Sequence, residues 1–266
     1  MKRLLFCCCL LLLCACARQP ITSPPDMAAS PTTEVTSLKG RWQAYLNANL
    51  EHISPFRLHL SLRFGPEGNT RRVTALFWGN GEQQLRLDVM AGVGATIGKV
   101  LEDDDDFLIF SPQENRAYFH QGAASPLLRL GVPFPLGLKQ LAGLLNGRYI
   151  DAFGATWNHG TIMPDALHAY DLDGKPGGQL TLDAQGLPVL WQEHPGGKHG
   201  WIMKIQYDDG QPPQPRRLDV RHSNGTGGVL LVKSRESNLP PFSRQQMELI
   251  LPDTAPLLPL SQFKGR

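Results

Sequence analysis

The chain has 266 residues, a net charge of +2, and five cysteines confined to its first sixteen positions. Scattered basic residues give no sign of a nucleic-acid partner, and the folded part is left without disulfides or a cysteine metal site. About 250 residues follow the leader, enough for one large β domain or two small ones built on an ordinary hydrophobic core.

Lys2 and Arg3 open the chain, and an apolar run follows from Leu4 to Leu13. That run is shorter than the ~20 residues a membrane-spanning helix needs. The tetrapeptide Leu13-Cys14-Ala15-Cys16 has the form of a lipobox. It supplies an apolar residue three before the cut, a small residue next to it, and a cysteine to carry the lipid. Residues 1–15 are therefore expected to be a lipoprotein signal peptide. Cys16 is expected to carry a diacylglycerol and an N-acyl group, and two or more chains give stable anchoring. Ala17 stands where aspartate favours inner-membrane retention in enteric bacteria, so the outer membrane, on its periplasmic face, is the expected location. Residues 16–37 are rich in Pro, Ser and Thr and read as a lipidated tether; residues 38–266 read as one domain.

Leu38, Trp42, Tyr45, Leu46 and Leu50 fall at helical spacing. The period then changes to two: Phe56, Leu58, Leu60, Leu62 and Phe64 alternate with polar residues, as in a half-buried strand. Val73–Trp78 is a second strand, Asn80-Gly81 a hairpin signal, and Leu85, Leu87 and Val89 mark a third strand. Further strands are expected at Ala95–Leu101, Phe107–Phe110, Arg116–Phe119, Thr156–Ile162, Ala166–Leu172, Gln179–Asp183 and Val189–Glu193. The series continues with Trp201–Tyr207, Arg217–His222, Val229–Ser234 and Gln246–Leu251. Pro126–Leu130 and Leu136–Leu145 read as helices. The whole is one antiparallel sheet of about eleven or more strands, which tends to curl. Rows such as Trp201, Met203, Ile205 and Tyr207 build either a sandwich core or an apolar concavity, and the lipid anchor with the short helices favours the concavity.

Chemical motifs are mostly negative. The eight histidines form no metal-ligand spacing with a nearby carboxylate, and there is no H-E-x-x-H or G-x-S-x-G. Asp103–Asp106 reads as a solvated turn, and Asp171-x-Asp173-Gly174 stops short of a calcium loop. Gly225-Thr226-Gly227-Gly228 lacks the lysine and the following helix of a phosphate loop. No nucleophile stands beside a base, so no enzyme and no metal are expected.

The segment Phe77-Trp78, the hairpin, and Leu85 through Thr96 resembles the LolB-like family of outer-membrane lipoprotein receptors. Pro133-Phe134-Pro135-Leu136-Gly137-Leu138 through Gly147 matches the proline-framed start of a helix in that family. The late rhythm of Trp201, Ile205, Tyr207, Pro215, Leu218 and Leu230-Leu231-Val232 is similar too. The resemblance implies a LolA/LolB-like fold: a half-open antiparallel barrel of about eleven strands, with short helices across an apolar concave face. It implies that Phe56, Leu58, Leu60, Leu85, Leu87, Val89, Trp201, Met203 and Ile205 line an acyl cavity. The expected partners are acylated lipoprotein cargo, a LolA-like periplasmic carrier and outer-membrane lipid, with the chain monomeric. The family's protruding loop falls on Met90 and Val93, where glycines on both sides of Val93 let the backbone turn and thrust that side chain outward. Gly92 replaces the family's proline and Val93 its leucine. Leu239–Arg266 extends past the family's usual end.

Overall fold

The computed structural model describes residues 31–263 apart from 67, 93, 105, 123–125, 130, 131, 133, 175, 197 and 198. Helix α1 (Pro31–Asn47) leads into strands β1 (Phe56–Pro66), β2 (Arg71–Gly79), β3 (Gln84–Ala91), β4 (Ala95–Asp103), β5 (Asp106–Ser111) and β6 (Arg116–Gln121). Three short helices follow: α2 (Pro126–Arg129), α3 (Leu138–Asn146) and α4 (Ile150–Phe153). Strands β7 (Trp157–Ile162), β8 (His168–Leu172), β9 (Gln179–Leu182), β10 (Pro188–Gln192), β11 (Trp201–Tyr207), β12 (Pro215–His222) and β13 (Thr226–Glu236) complete the main sheet. Helix α5 (Arg244–Met247), strand β14 (Leu257–Pro259) and a 3-10 turn at Leu260–Gln262 are the last described elements.

All fourteen strands belong to one sheet, ordered β14-β6-β5-β4-β3-β2-β1-β13-β12-β11-β10-β9-β8-β7. Neighbours are antiparallel except β14 on β6. The expectation of about eleven antiparallel strands is corrected to fourteen, one of them parallel. The sheet is not closed, since β14 and β7 are its two edges.

Alternation decides which side chains share a face. Leu58, Phe77, Leu87, Val100, Ile109 and Tyr118 stand opposite one another in register from β1 to β6. On the other side of β1, Leu62, Leu230, Leu218 and Ile205 continue the same face. The row Met203, Trp191, Leu180 and Tyr170 carries it to β8. This inner face is apolar from one end of the sheet to the other, and helices lie on it. From α1, Leu38, Trp42 and Tyr45 are buried, with Trp42 against the rings of Tyr170 and Trp157. Helix α3 is buried nearly all round, and a Cβ at Gly143 would lie 2.6 Å from Asp151 of α4, so only glycine admits that neighbour.

Two expectations need correcting. Helix α1 begins at Pro31, inside the stretch read as tether, and ends before Leu50, which is exposed. The alternation over Gln246–Leu251 is not a strand. It forms α5 and an irregular strap across the outer face, which Trp78, Arg86, Phe110 and Ala117 share. The Asn80 amide fixes the strap's start through reciprocal bonds to Phe242, at 2.9 and 2.7 Å. Arg86, buried beneath it, donates to the Met247 and Glu248 carbonyls at 3.2 and 2.5 Å. Leu249 then packs on Phe110 and Ala117. The chain rounds the sheet edge as β14 and returns to the inner face, with Leu260 in the core and Phe263 edge-on to Tyr118.

Candidate functional site

The structure gathers all nine proposed lining residues onto the inner face and into one apolar cluster. Phe56, Leu58, Leu60, Leu85, Leu87, Met203 and Ile205 are buried, while Val89 and Trp201 are partly buried. Their neighbours are the helices lying on the sheet, not a second sheet. The face is filled in this state. The largest fully buried side chains include Trp191, Tyr45, Tyr149 and Tyr170. A void between Leu62, Phe64, Phe134 and Leu230 measures about 10 Å³, no more than a single water needs (~10–15 Å³). Among the described residues the face is occupied by the side chains of the helices, which an acyl chain would have to displace.

Polar groups attach the helices at identifiable points. Gly137 caps α3 with no side chain, so the first amide groups of the helix need an acceptor from elsewhere. Glu102 of β4 supplies it, accepting from the backbone N–H groups of Leu138 and Lys139 at 3.2 Å each. At the other end the Arg235 guanidinium donates to the Leu145 carbonyl and, at 2.8 Å, to the carbonyl of Pro215. A carboxylate at the helix N-terminus and a cation at its C-terminus both favour the helix dipole. Helix α1 is attached through its Leu38 carbonyl, which accepts from the Tyr170 hydroxyl at 2.8 Å. Its Tyr45 hydroxyl donates to the Gly154 carbonyl, also at 2.8 Å. Burial raises the Tyr45 and Tyr170 hydroxyls well above the usual tyrosine range and the Tyr149 hydroxyl to about 12, so all three stay protonated and the first two keep donating.

Burial sets the charge states of the two clamps against them. Desolvation raises the pKa of Glu102, opposed by its two amide bonds and by Lys139. Desolvation lowers that of Arg235, opposed by Asp208 and Tyr149. The folded chain therefore binds the Glu102 proton more tightly than the unfolded chain does. The cost of keeping this carboxylate ionised is fully present above its folded pKa. It is relieved as pH falls towards the ordinary value of about 4.3. Glu102→Gln carries no such relief. Its stability relative to the wild type should fall as pH drops through the raised folded pKa of Glu102 towards the ordinary carboxylate value, measured by urea unfolding at a series of pH values. The opposite trend would show that the amide bonds outweigh desolvation at this site.

Neither clamp is announced by a motif, although each leaves a trace in the alternation. Glu102 stands opposite Leu85 and Phe107, and Arg235 opposite Leu58. Each is a charge at an inward-facing position. Met90 belongs to β3 rather than to the following loop and faces away from Val89, paired with Thr74. Val93 and Cys16 lie outside the described residues. Gly92 and Gly94 flank the loop with φ of 53° and 94°. Among the described residues, no three His, Cys, Asp or Glu groups are placed to hold a metal ion, and no helix is long and apolar enough to cross a membrane.

An open, largely antiparallel sheet with helices on an apolar face is the architecture of LolA-like proteins. A LolA-superfamily protein from Nitrosomonas europaea is similar with a TM-score of 0.53 at 10% identity, over 80% of this chain and 97% of its own. Two further solved structures score lower. A domain from Vibrio parahaemolyticus assigned to outer-membrane lipoprotein sorting gives 0.49 at 9% identity, over 81% and 96%. The MucA/MucB complex of Pseudomonas aeruginosa gives 0.36 at 10% identity, over 80% and 60%. No family model matches the chain, and no curated protein is significantly similar in sequence. The chain has a LolA-like fold.

Proposed function

We propose that this chain is an envelope lipoprotein of the LolB type, held on the periplasmic face of the outer membrane through Cys16. In this reading it accepts the acyl chains of other lipoproteins from a LolA-like carrier and passes them into outer-membrane lipid. The observation that carries the reading is the cover of the inner face. Nine apolar side chains on three strands lie beneath helices that polar contacts fasten at their ends. Such a cover can move without breaking the sheet ladder. Cargo chains would then replace the helical side chains, and each methylene taken from water is worth about 0.8 kcal/mol. No bond is made or broken in this cycle, which is binding followed by release.

The fully packed interior also suits a second reading, in which the same face senses a lipid without delivering it. Depletion separates the two. A delivery role predicts that other lipoproteins accumulate in the periplasm or inner membrane when this chain is removed. Native mass spectrometry of the purified protein should find fatty acid or phospholipid bound under either reading. Normal lipoprotein distribution with bound lipid leaves the sensor. Normal distribution without lipid removes both. Cys16→Ser should release the folded domain from the membrane fraction.

A further inference from the structure

The glycine-rich run that begins β13 does not form a phosphate loop, yet it floors a cleft of about 230 Å³. The cleft lies at the sheet end where β1, β12 and β13 meet. Its walls include Arg63, Thr70, Arg221 and His222, with Gly65 and Gly227 between them. Gly65, Gly227 and Arg221 stand in register across three strands. The two glycines therefore leave the backbone bare beside the Arg221 side chain. A Cβ at Gly227 would come within 2.8 Å of the Val220 carbonyl, so the close approach of the strands excludes any other residue without a shift.

Among the described residues, the charges around this cleft are unbalanced. Arg63 stands directly opposite Arg72 across β1 and β2, and Arg71 is its neighbour in sequence. Like charges directly opposite destabilise a sheet. Among the described residues, Arg63, Arg71, Arg72 and Arg221 have no carboxylate within ion-pair distance. Arg72 has only the Ser61 hydroxyl, at 3.2 Å. Among the described residues the one carboxylate lining the cleft, Asp219, is already bound by Nε and Nη2 of Arg217 at 2.8 Å each. Arg63 and Arg221 thus line the cleft, with Arg72 opposite Arg63 on the same face, and none of the three has a carboxylate partner among the described residues. Arg71, opposite Phe64, projects to the other face. Arginine presents a planar fork that matches a tetrahedral oxyanion in a way that lysine does not.

We infer that this cleft is a binding site for a phosphate-class anion, engaged by Arg63 and Arg221 with Thr70 beside it. The anion is the phosphodiester of a phospholipid headgroup or a free phosphate. This site is separate from the apolar face. It explains why an opposed arginine pair sits beside a glycine floor.

The test is calorimetric titration of the full chain with two probes, inorganic phosphate and dihexanoyl phosphatidylglycerol, at constant ionic strength. Both should bind, and the double variant Arg63→Ala with Arg221→Ala should weaken each by about ten-fold or more, as loss of charge-assisted bonds predicts. Tighter binding of the lipid assigns the site to headgroups, whereas equal or tighter binding of inorganic phosphate assigns it to the free ion. Because the apolar face could also take the short acyl chains, glycerophosphoglycerol, the same headgroup without chains, is titrated in parallel and should match the affinity of the lipid. Far-UV circular dichroism confirms that the double variant folds. If neither probe binds at millimolar concentration, or the double variant binds both as the wild type does, the site is overturned.

Discussion

Leu87→Glu is expected to abolish acyl-chain binding and to destabilise the chain by about 3–5 kcal/mol, the cost of a buried charge left without a partner. Leu87 is 7% exposed, between Phe77 and Val100 on the inner face. Its sequence neighbour Arg86 cannot rescue the carboxylate, because that guanidinium points to the other face and is engaged by Asp88 and the strap carbonyls. Such a loss is a large part of the 5–15 kcal/mol that holds a typical domain together. Two companions isolate the cause. Leu87→Met keeps shape and polarity and should cost less than about 1.5 kcal/mol with binding retained. Thr74→Glu places the same charge on the outer face, at an exposed position, and should change stability by only about 0.5 kcal/mol. Equilibrium urea unfolding followed by circular dichroism gives the stabilities, and a fluorescent fatty acid reports binding. A folded Leu87→Glu chain that binds the probe normally would remove this row from the acyl site.

The inner face was legible because it rests on a local rule. Phe56, Leu58 and Leu60 alternate with Arg57, His59 and Ser61, and the same period recurs in β3 and β11. The chain's strands therefore show which side chains share a face before any pairing is known. That short helices cover the face was expected; how they are fastened to it was not legible, since the contacts run between residues far apart in the chain. Tyr170 reaches the carbonyl of Leu38, and Arg235 that of Leu145. Gln246–Leu251 misled for a related reason. Met247 and Leu249 are buried at spacing two, as in a strand, yet they pack on the outer face with no ladder partner. The genuine last strand, Leu257–Pro259, is only three residues long and lies parallel on β6, too short to show a period. The first helix begins with Pro31 and threonines, residues that favour loops when counted by composition. Proline nonetheless suits a first helical turn, where its missing N–H is not needed.

Arg235→Met tests whether the cover is a lid or a fixed part of the core. Methionine keeps most of the volume and removes the desolvation cost of the guanidinium, so replacing it need not lower global stability. What it does remove is the bond to the Leu145 carbonyl at the end of α3 and the bond to Pro215 on β12. Hydrogen bonds from a charged donor contribute about 1.5–3 kcal/mol each, and the carbonyl freed at the helix end can recover part of that from water. If this weakens the closed state by about 1–2 kcal/mol, the open fraction rises about 5–30-fold. Apparent affinity scales with the fraction competent to bind, so a fluorescent fatty acid should bind tighter by the same factor. Hydrogen exchange gives a second readout that needs no ligand. The amides of Leu141, Ala142 and Leu145 in α3 should exchange faster by that factor, while those of β1 and β13 at the centre of the sheet stay protected. Faster exchange in the strands as well would mean general destabilisation rather than lid opening. Unchanged exchange and unchanged affinity would mean that α3 is held by its apolar contacts alone, with Leu138, Leu141 and Leu145 as permanent members of the core. An acyl chain would then have no route to the inner face through this end of the cover.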